Sequence, residues 1–367
     1  CFNLGYNKSL KDADRTFVLS VPSQYNEGKF SIFINRPLGE ALVSGSSMSE
    51  GGGVFSMYEK GAVCYTRRND VPVKMKLDLK QYSAGGLRAL NFEAAEGSLD
   101  ELSKPSTIAI SESSAKKYDL KLGDGISWSD PQGEKGSSEI VLIYKDFPKN
   151  SDLGMVNAVY DLKDYCIDDR SEWSFPYCVK LQNASLKEEF EKESKAILLD
   201  YFKKLYDGAG ETLSDEDIDE INNRFNIKLI PLSELFYTKE LDGKPGRTGN
   251  LTTDMTLLAV AVLIILIALI NFINFFFALV PARLRSVNTY KIFGVSRTSL
   301  IFNFISESVG LVTIALALAA IIVVLLLRTS VAGILGSSAV FGDNVPVLAM
   351  TVGAAVLTAV LGSIYPA

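Results

Sequence analysis

The stretch PARLRSVNTYKIFGVSRTSLIFNFISES, residues 281–308, carries Arg283, Arg285, Lys291 and Arg297 and a single acid, Glu307, near its far end. Apolar runs of membrane thickness flank and follow it. Residues 255–280 break their apolar character only at Thr256, Asn271 and Asn274, residues 302–327 form a second run, and residues 345–367 a third that contains Gly353 and Gly362. About 20 apolar residues cross a hydrocarbon core, and lipid offers no partner for free backbone groups, so each run is expected to be a transmembrane helix.

Charge then sets the orientation. Segment 281–300 holds four cations and no acid, whereas segment 328–344 holds one of each, Arg328 and Asp343. A Lys/Arg excess beside a span marks the cytoplasmic side. Segment 281–300 is therefore expected in the cytoplasm, with loop 329–344 and residues 13–250 outside it. The segment itself reads as a short helix with Pro281 in its first turn, Leu284, Val287 and Tyr290 or Lys291 at helical spacing, and Gly294 placed to end it. Two roles fit: an interfacial helix that only orients the chain, or a docking element for a cytoplasmic partner. Asn271 and Asn274 share one helix face and are expected to hydrogen-bond between helices. Glu307 either meets water at the cytoplasmic end or pairs with a cation such as Arg297.

The rest of the chain is acidic. Of 37 Lys/Arg and 43 Asp/Glu, residues 1–250 hold 32 and 40. Such a balance gives no footing for a nucleic-acid partner. There is no histidine among the 367 residues, so neither a Ser-His-Asp nor a Cys-His site can be assembled from this chain. The four cysteines, Cys1, Cys64, Cys166 and Cys178, lack CxxC spacing, and no phosphate-binding GxxxxGK[ST] loop is present. No catalytic, cofactor or metal site is expected. Cys166 and Cys178 are candidates for a disulfide in an oxidising exterior, with free buried thiols as the alternative.

Residues 13–250 read as a mixed α+β domain. VKMKLDLK (73–80) alternates Met75, Leu77 and Leu79 against Lys74, Lys76, Asp78 and Lys80, the period of a half-buried strand. RTFVLSV (15–21), KFSIFIN (29–35), GAVCYT (61–66), STIAIS (106–111), EIVLIYKDF (139–147) and YCVKLQ (177–182) also read as strands. SESSAKKYDL (111–120) starts a helix on a capping serine, LKEEFEKESKAILLDYFKKLYD (186–207) is a long amphipathic helix, and SDEDIDEINNRF (214–225) is an acidic one. Its acids suit a helix N-terminus better than a calcium loop, whose glycine and ligand spacing are missing. SGSSMSEGGG (44–53) reads as a flexible loop and LDGKPGRTGN (241–250) as a linker into the first of the three spans.

Six stretches, in order, resemble MacB/FtsX-type ABC transporter permeases: LKDADRTFVLSV (10–21), PSTIAISESSAKKYDLKLGDGI (105–126), IVLIYKDFPKNSDL (140–153), IKLIPLSELFY (227–237), the span-loop-span segment 270–308, and GSIYPA (362–367). The resemblance implies a four-span permease unit, all-α in the membrane, with an α+β extracytoplasmic core inserted after a first span. Residues 1–12 would be the outer end of that first span, which lies before Cys1. It further implies a multi-pass protein of the bacterial inner membrane that is not itself an enzyme. ATP and Mg would be bound by a separate ABC ATPase, and the permease would work as a homodimer or a pseudo-dimer of permease halves, with an extracytoplasmic adaptor or outer-membrane channel as a further partner. Segment 281–300 would then be the coupling element to the ATPase. The activity implied is export or extraction of a peptide, drug or lipid-linked substrate, or regulation of cell-wall hydrolases without transport. Ser286 and Asn288 stand where much of the family has Glu and Gly, which alters a Glu-mediated ATPase contact here and fits either a divergent branch or one half of a duplicated permease.

Overall fold

The computed structural model describes residues 3–55, 57–68, 71–129, 135–243, 246–326 and 345–364. Two compact units emerge: Gly5–Asn250, and Leu251–Ala367 together with Cys1–Leu4.

The first unit is built on two sheets. The smaller centres on β1 (Thr16–Pro22) and carries β2 (Phe30–Ser31), β3 (Phe33–Ile34), β4 (Ser49–Val54), β12 (Phe175–Leu181) and β13 (Lys228–Pro231). Its spine runs β13-β1-β12-β3, with β2 on β1 and β4 on β12. β1 and β12 are apolar at nearly every position because both their faces are covered. Phe17, Leu19, Phe175, Tyr177 and Val179 point to one side. There they meet α1 (Arg36–Gly45), α4 (Lys187–Ala209) and α5 (Asp215–Arg224) through Leu38, Leu42, Phe190, Leu198 and Ile221. Ser214 caps α5 in a reciprocal capping box with Asp217, so the acidic run 214–220 is a helix start, where the macrodipole favours acids.

The alternate residues of the same strands, Val18, Cys178 and Ile230, point the other way, into a core shared with Tyr82, Leu87, Phe92, Leu142 and Tyr144. Those come from the larger sheet, from α2 (Ala84–Ala89) and, for Phe92, from the turn that follows α2. That sheet comprises β5 (Met57–Arg68), β6 (Val71–Tyr82), β7 (Ala94–Gly97), β8 (Thr107–Ser111), β9 (Gly125–Ser129), β10 (Lys135–Tyr144) and β11 (Ala158–Asp161). Its order is β7-β10-β8-β11-β6-β5-β9, and β9 pairs with β10 as well as with β5. The strands from β10 round to β9 therefore close into a ring, with β7 outside it, and β9 no longer presents an edge that would invite pairing with another chain. Met75, Leu77 and Leu79 are buried as the alternation in 73–80 predicts. They pack with Ile108, Ile110, Ile126 and Ile140, and with Ala115 of α3 (Glu112–Tyr118).

Three expectations change. The α+β unit starts at Gly5, not residue 13: Tyr6 and Leu10 are buried in it, so residues 6–12 belong to its packing and not to the end of a span. Tract 44–53 is not a flexible loop but the end of α1 and strand β4. Its glycines are needed because β4 lies backbone-to-backbone against α2: a Cβ on Gly53 would sit 2.6 Å from the nitrogen of Gly86, and one on Gly85 2.1 Å from the oxygen of Gly52. The Cys166–Cys178 bridge is not made, and both thiols are free. Cys178 faces the core between the sheets, whereas Cys166 packs on the helix-covered side of β12, so the two side chains approach opposite faces of one sheet. Burial pushes the Cys178 thiol up to about 12.

A polar network ties this unit together near its start. Asp12 Oδ2 lies 2.5 Å from Lys180 Nζ, Asp12 Oδ1 lies 3.0 Å from Arg15 Nε, and Arg15 Nη1 reaches Glu50 Oε2 at 2.7 Å. Lys180 also donates to Asn91 Oδ1 at 2.9 Å. The hydrogen bonds from Arg15 and Lys180 hold the Asp12 carboxyl well below the usual carboxylate range. A depressed folded-state value means stability that is present above the unfolded value, about 3.9, and lost as pH falls below it. Asp12→Asn is expected to lower the unfolding temperature at neutral pH and to flatten its decline in acid. Thermal unfolding of both proteins at a series of pH values checks this; parallel acid limbs would remove Asp12 from the account.

The second unit contains α6 (Leu251–Ile292), α7 (Arg297–Leu326) and α8 (Val345–Ile364). Leu251–Phe275 and Thr298–Leu326 are long and apolar enough to cross a membrane; within α8 the apolar stretch among the described residues is Leu348–Leu357. The core helix of a soluble protein would be buried, yet Ile264, Phe275, Ile314 and Leu325 are exposed. Large apolar side chains in that state need lipid or another helix around them.

Candidate functional site

The cationic segment does not begin a new helix. α6 runs unbroken through Pro281 for 42 residues. At 1.5 Å per residue that is about 63 Å, roughly twice a hydrocarbon core. Pro281 was expected in the first turn of a separate short helix; instead it lies inside the long one. Proline forfeits one backbone bond there but its φ is helical, and membrane helices tolerate that loss. The backbones of Arg283, Arg285, Val287, Tyr290 and Lys291 thus lie on the last three turns of α6, a rigid continuation of the span. Their side chains, with that of Arg297 at the start of α7, lie outside the described residues.

Gly294, at φ +77°, turns the chain between the helices, a left-handed conformation that suits glycine. Ser296 caps α7: its Oγ accepts from Ser299 N at 3.3 Å and its carbonyl from Leu300 N at 3.2 Å. Directly before this turn stand two residues that the reading of charges passed over. Ile292 is 83% exposed and Phe293 80% exposed, adjacent at the tip of the turn. The signal was present as two large apolar residues directly before a turn glycine, beyond the end of an apolar span.

Asn271 and Asn274 share a face of α6 and are exposed, as is Glu307 on α7. The expected pairing of Glu307 with Arg297 rests on a side chain outside the described residues. Among the described residues no group of His, Cys, Asp and Glu could hold a metal ion.

Residues 258–367 match the family model of the FtsX-like permease C-terminal domain. The two exposed apolar helices, Leu251–Phe275 and Thr298–Leu326, overlap this matched segment. No curated protein matches the sequence. Among solved structures, a permease domain from Porphyromonas gingivalis is similar at 16% identity and a TM-score of 0.44, covering 64% of this chain and 96% of that one. The extracellular domain of the noncanonic ABC-type transporter YknZ from Gram-positive bacteria is similar at 13% identity and 0.35, covering 59% and 99%. The periplasmic region of MacB from Actinobacillus actinomycetemcomitans is similar at 10% and 0.34, covering 63% and 92%.

Proposed function

We propose that this chain is the permease subunit of an ABC transporter, placed in the bacterial inner membrane with its α+β unit outside the cytoplasm. ATP hydrolysis by a partner ATPase moves that unit, and the motion exports or extracts a peptide, drug or lipid-linked substrate. The observation that carries the reading is the continuity of α6. A cationic segment ending in an exposed apolar pair is fixed to the span by helix backbone, so a partner that grips the tip moves the span with it.

The tip has the composition of an interface centre: an aromatic and an aliphatic anchor beside cationic residues. Phe293→Ser is expected to reduce recovery of the ATPase with the detergent-solubilised chain by tenfold or more, since truncating an interface anchor costs about 2 kcal/mol. Undiminished recovery would show that the exposed pair is not the contact. Absence of any ATPase from the wild-type preparation would contradict the proposal itself.

A further inference from the structure

We propose that Asp152 is a latch that fastens the chain where it enters the α+β unit to the chain where it leaves, so that the two segments are displaced together. The unit runs from Gly5 to Asn250, so its two ends are the points at which any pull reaches it. Asp152 holds both. From the entering segment, the Tyr6 hydroxyl donates to its Oδ1 at 3.1 Å and Asn7 Nδ2 to its Oδ2 at 3.0 Å, while Asp152 N donates back to Asn7 Oδ1 at 2.9 Å. From the leaving segment, the backbone N–H of Arg247 donates to Oδ1 at 3.3 Å.

The surroundings are shaped for this grip. Gly246 has φ +133°, and a Cβ there would stand 2.5 Å from Asp152 Oδ1. Only glycine lets the leaving backbone come so close. Asn7 is fully buried and adopts φ +61°, a conformation that asparagine tolerates better than most residues. Its Nδ2 also donates to the carbonyl of Leu232 at 3.1 Å. A second tie runs in parallel: Tyr6 stacks on Phe236 with centroids 4.2 Å apart, and the Phe236 carbonyl accepts from Gly249 N at 2.9 Å. A Cβ on Gly249 would meet the Phe236 ring at 2.1 Å. The loop that bears Asp152 is itself bound to the entering segment, through Asn150 Nδ2 to the Gly5 carbonyl and Asn7 N to the Asn150 carbonyl, both at 2.9 Å. In the other unit, Asn3 Nδ2 donates to Asp254 Oδ1 at 3.2 Å, so the same two stretches of chain also meet there.

Desolvation raises the Asp152 carboxyl above its usual range, against Asn7, Tyr6 and the Arg247 N–H, which lower it, and against the charge of Lys80. The donors are thus committed in a poorly solvated place, where losing the acceptor leaves them costly to satisfy. Residues 246–250, the end of the stretch read as a linker, are anchored through the backbone N–H groups of Arg247 and Gly249. The purpose of the latch rests on the proposed function, since a pull needs a moving membrane part; its existence does not.

Hydrogen exchange of the full chain in detergent micelles, followed by mass spectrometry, tests the latch without any ATPase. In Asp152→Ala, peptides covering 5–10 and 246–250 are expected to exchange at least tenfold faster together, with 175–181 in β12 unchanged. Tyr6→Phe alters only the entering segment, yet is expected to speed exchange in 246–250 several-fold. A response confined to the segment carrying the substitution, or none in either, would overturn the latch. If Asp152→Ala exposes β12 as well, the milder Tyr6→Phe decides. Loss of ATPase recovery in the co-purification experiment would leave these exchange results standing, so the two readings fail separately.

Discussion

Val287→Pro should leave the chain inserted at normal abundance and strip it of its ATPase. Val287 lies five residues before the end of α6, within the part that continues the span. Proline there removes a backbone donor and drives its ring against the carbonyl of Arg283, at a cost of about 3 kcal/mol in a helix interior. That energy corresponds to roughly a hundredfold in an equilibrium constant. It falls on the last turns, which present Ile292 and Phe293, and not on the apolar stretch Leu251–Phe275 that inserts. ATPase recovery per unit of permease should fall by more than tenfold. Arg285→Ala should change it by less than fivefold, because an exposed ion pair is worth about 0–1 kcal/mol. Normal recovery in Val287→Pro would mean that the segment only orients the chain.

Gly53→Ala should be among the most damaging small substitutions in the α+β unit. A Cβ at Gly53 would lie 2.2 Å from Ser83 Oγ and 2.6 Å from Gly86 N. Neither can retreat cheaply. Ser83 Oγ accepts from Val54 N at 2.9 Å and from Gly86 N at 3.2 Å, so it stitches β4 to the start of α2. On the neighbouring residue, a Cβ at Gly52 would lie 2.2 Å from the Cys178 carbonyl, so β4 has no room to slide along β12 either. Overpacking against fixed backbone costs about 3 kcal/mol at the upper end of its usual range. In a unit of this size that lowers the unfolding temperature by roughly 10 °C. Gly125→Ala serves as the comparison, since a Cβ there meets nothing within 4 Å. Equal unfolding temperatures for the two variants would refute the close approach of β4 to α2.

The difference between 73–80 and 44–53 shows which parts of this fold were legible beforehand. Met75, Leu77 and Leu79 declare their buried face by alternation alone, a property of consecutive residues. Gly52 and Gly53 owe their meaning to Gly85 and Gly86, more than thirty positions away, and a run of glycines looks locally like a flexible tract. Closure of the larger sheet is of the same kind: most of β10 reads as an ordinary strand, β9 is not read as one, and only their register, with β5 on the other side of β9, makes a ring. In the membrane part, apolar length announced the helices, but Pro281 suggested a boundary that the backbone does not respect. At the candidate site, charge drew attention to the arginines and away from Ile292 and Phe293. The ties of Asp152 connect residues separated by 95 and 146 positions, beyond the reach of any local pattern.

Segment 281–300 and the α+β unit are expected on opposite sides of one membrane. Single cysteines at Ser299 and at Tyr25, which is 91% exposed, can be compared in a chain with Cys1 and Cys166 replaced by serine. An impermeant thiol reagent applied to cells with a permeabilised outer membrane should label Tyr25→Cys at once. Ser299→Cys should react only after the cytoplasmic membrane is opened. Labelling of Ser299→Cys from outside, with Tyr25→Cys protected, would invert the orientation and remove the basis for a cytoplasmic ATPase acting on this helix.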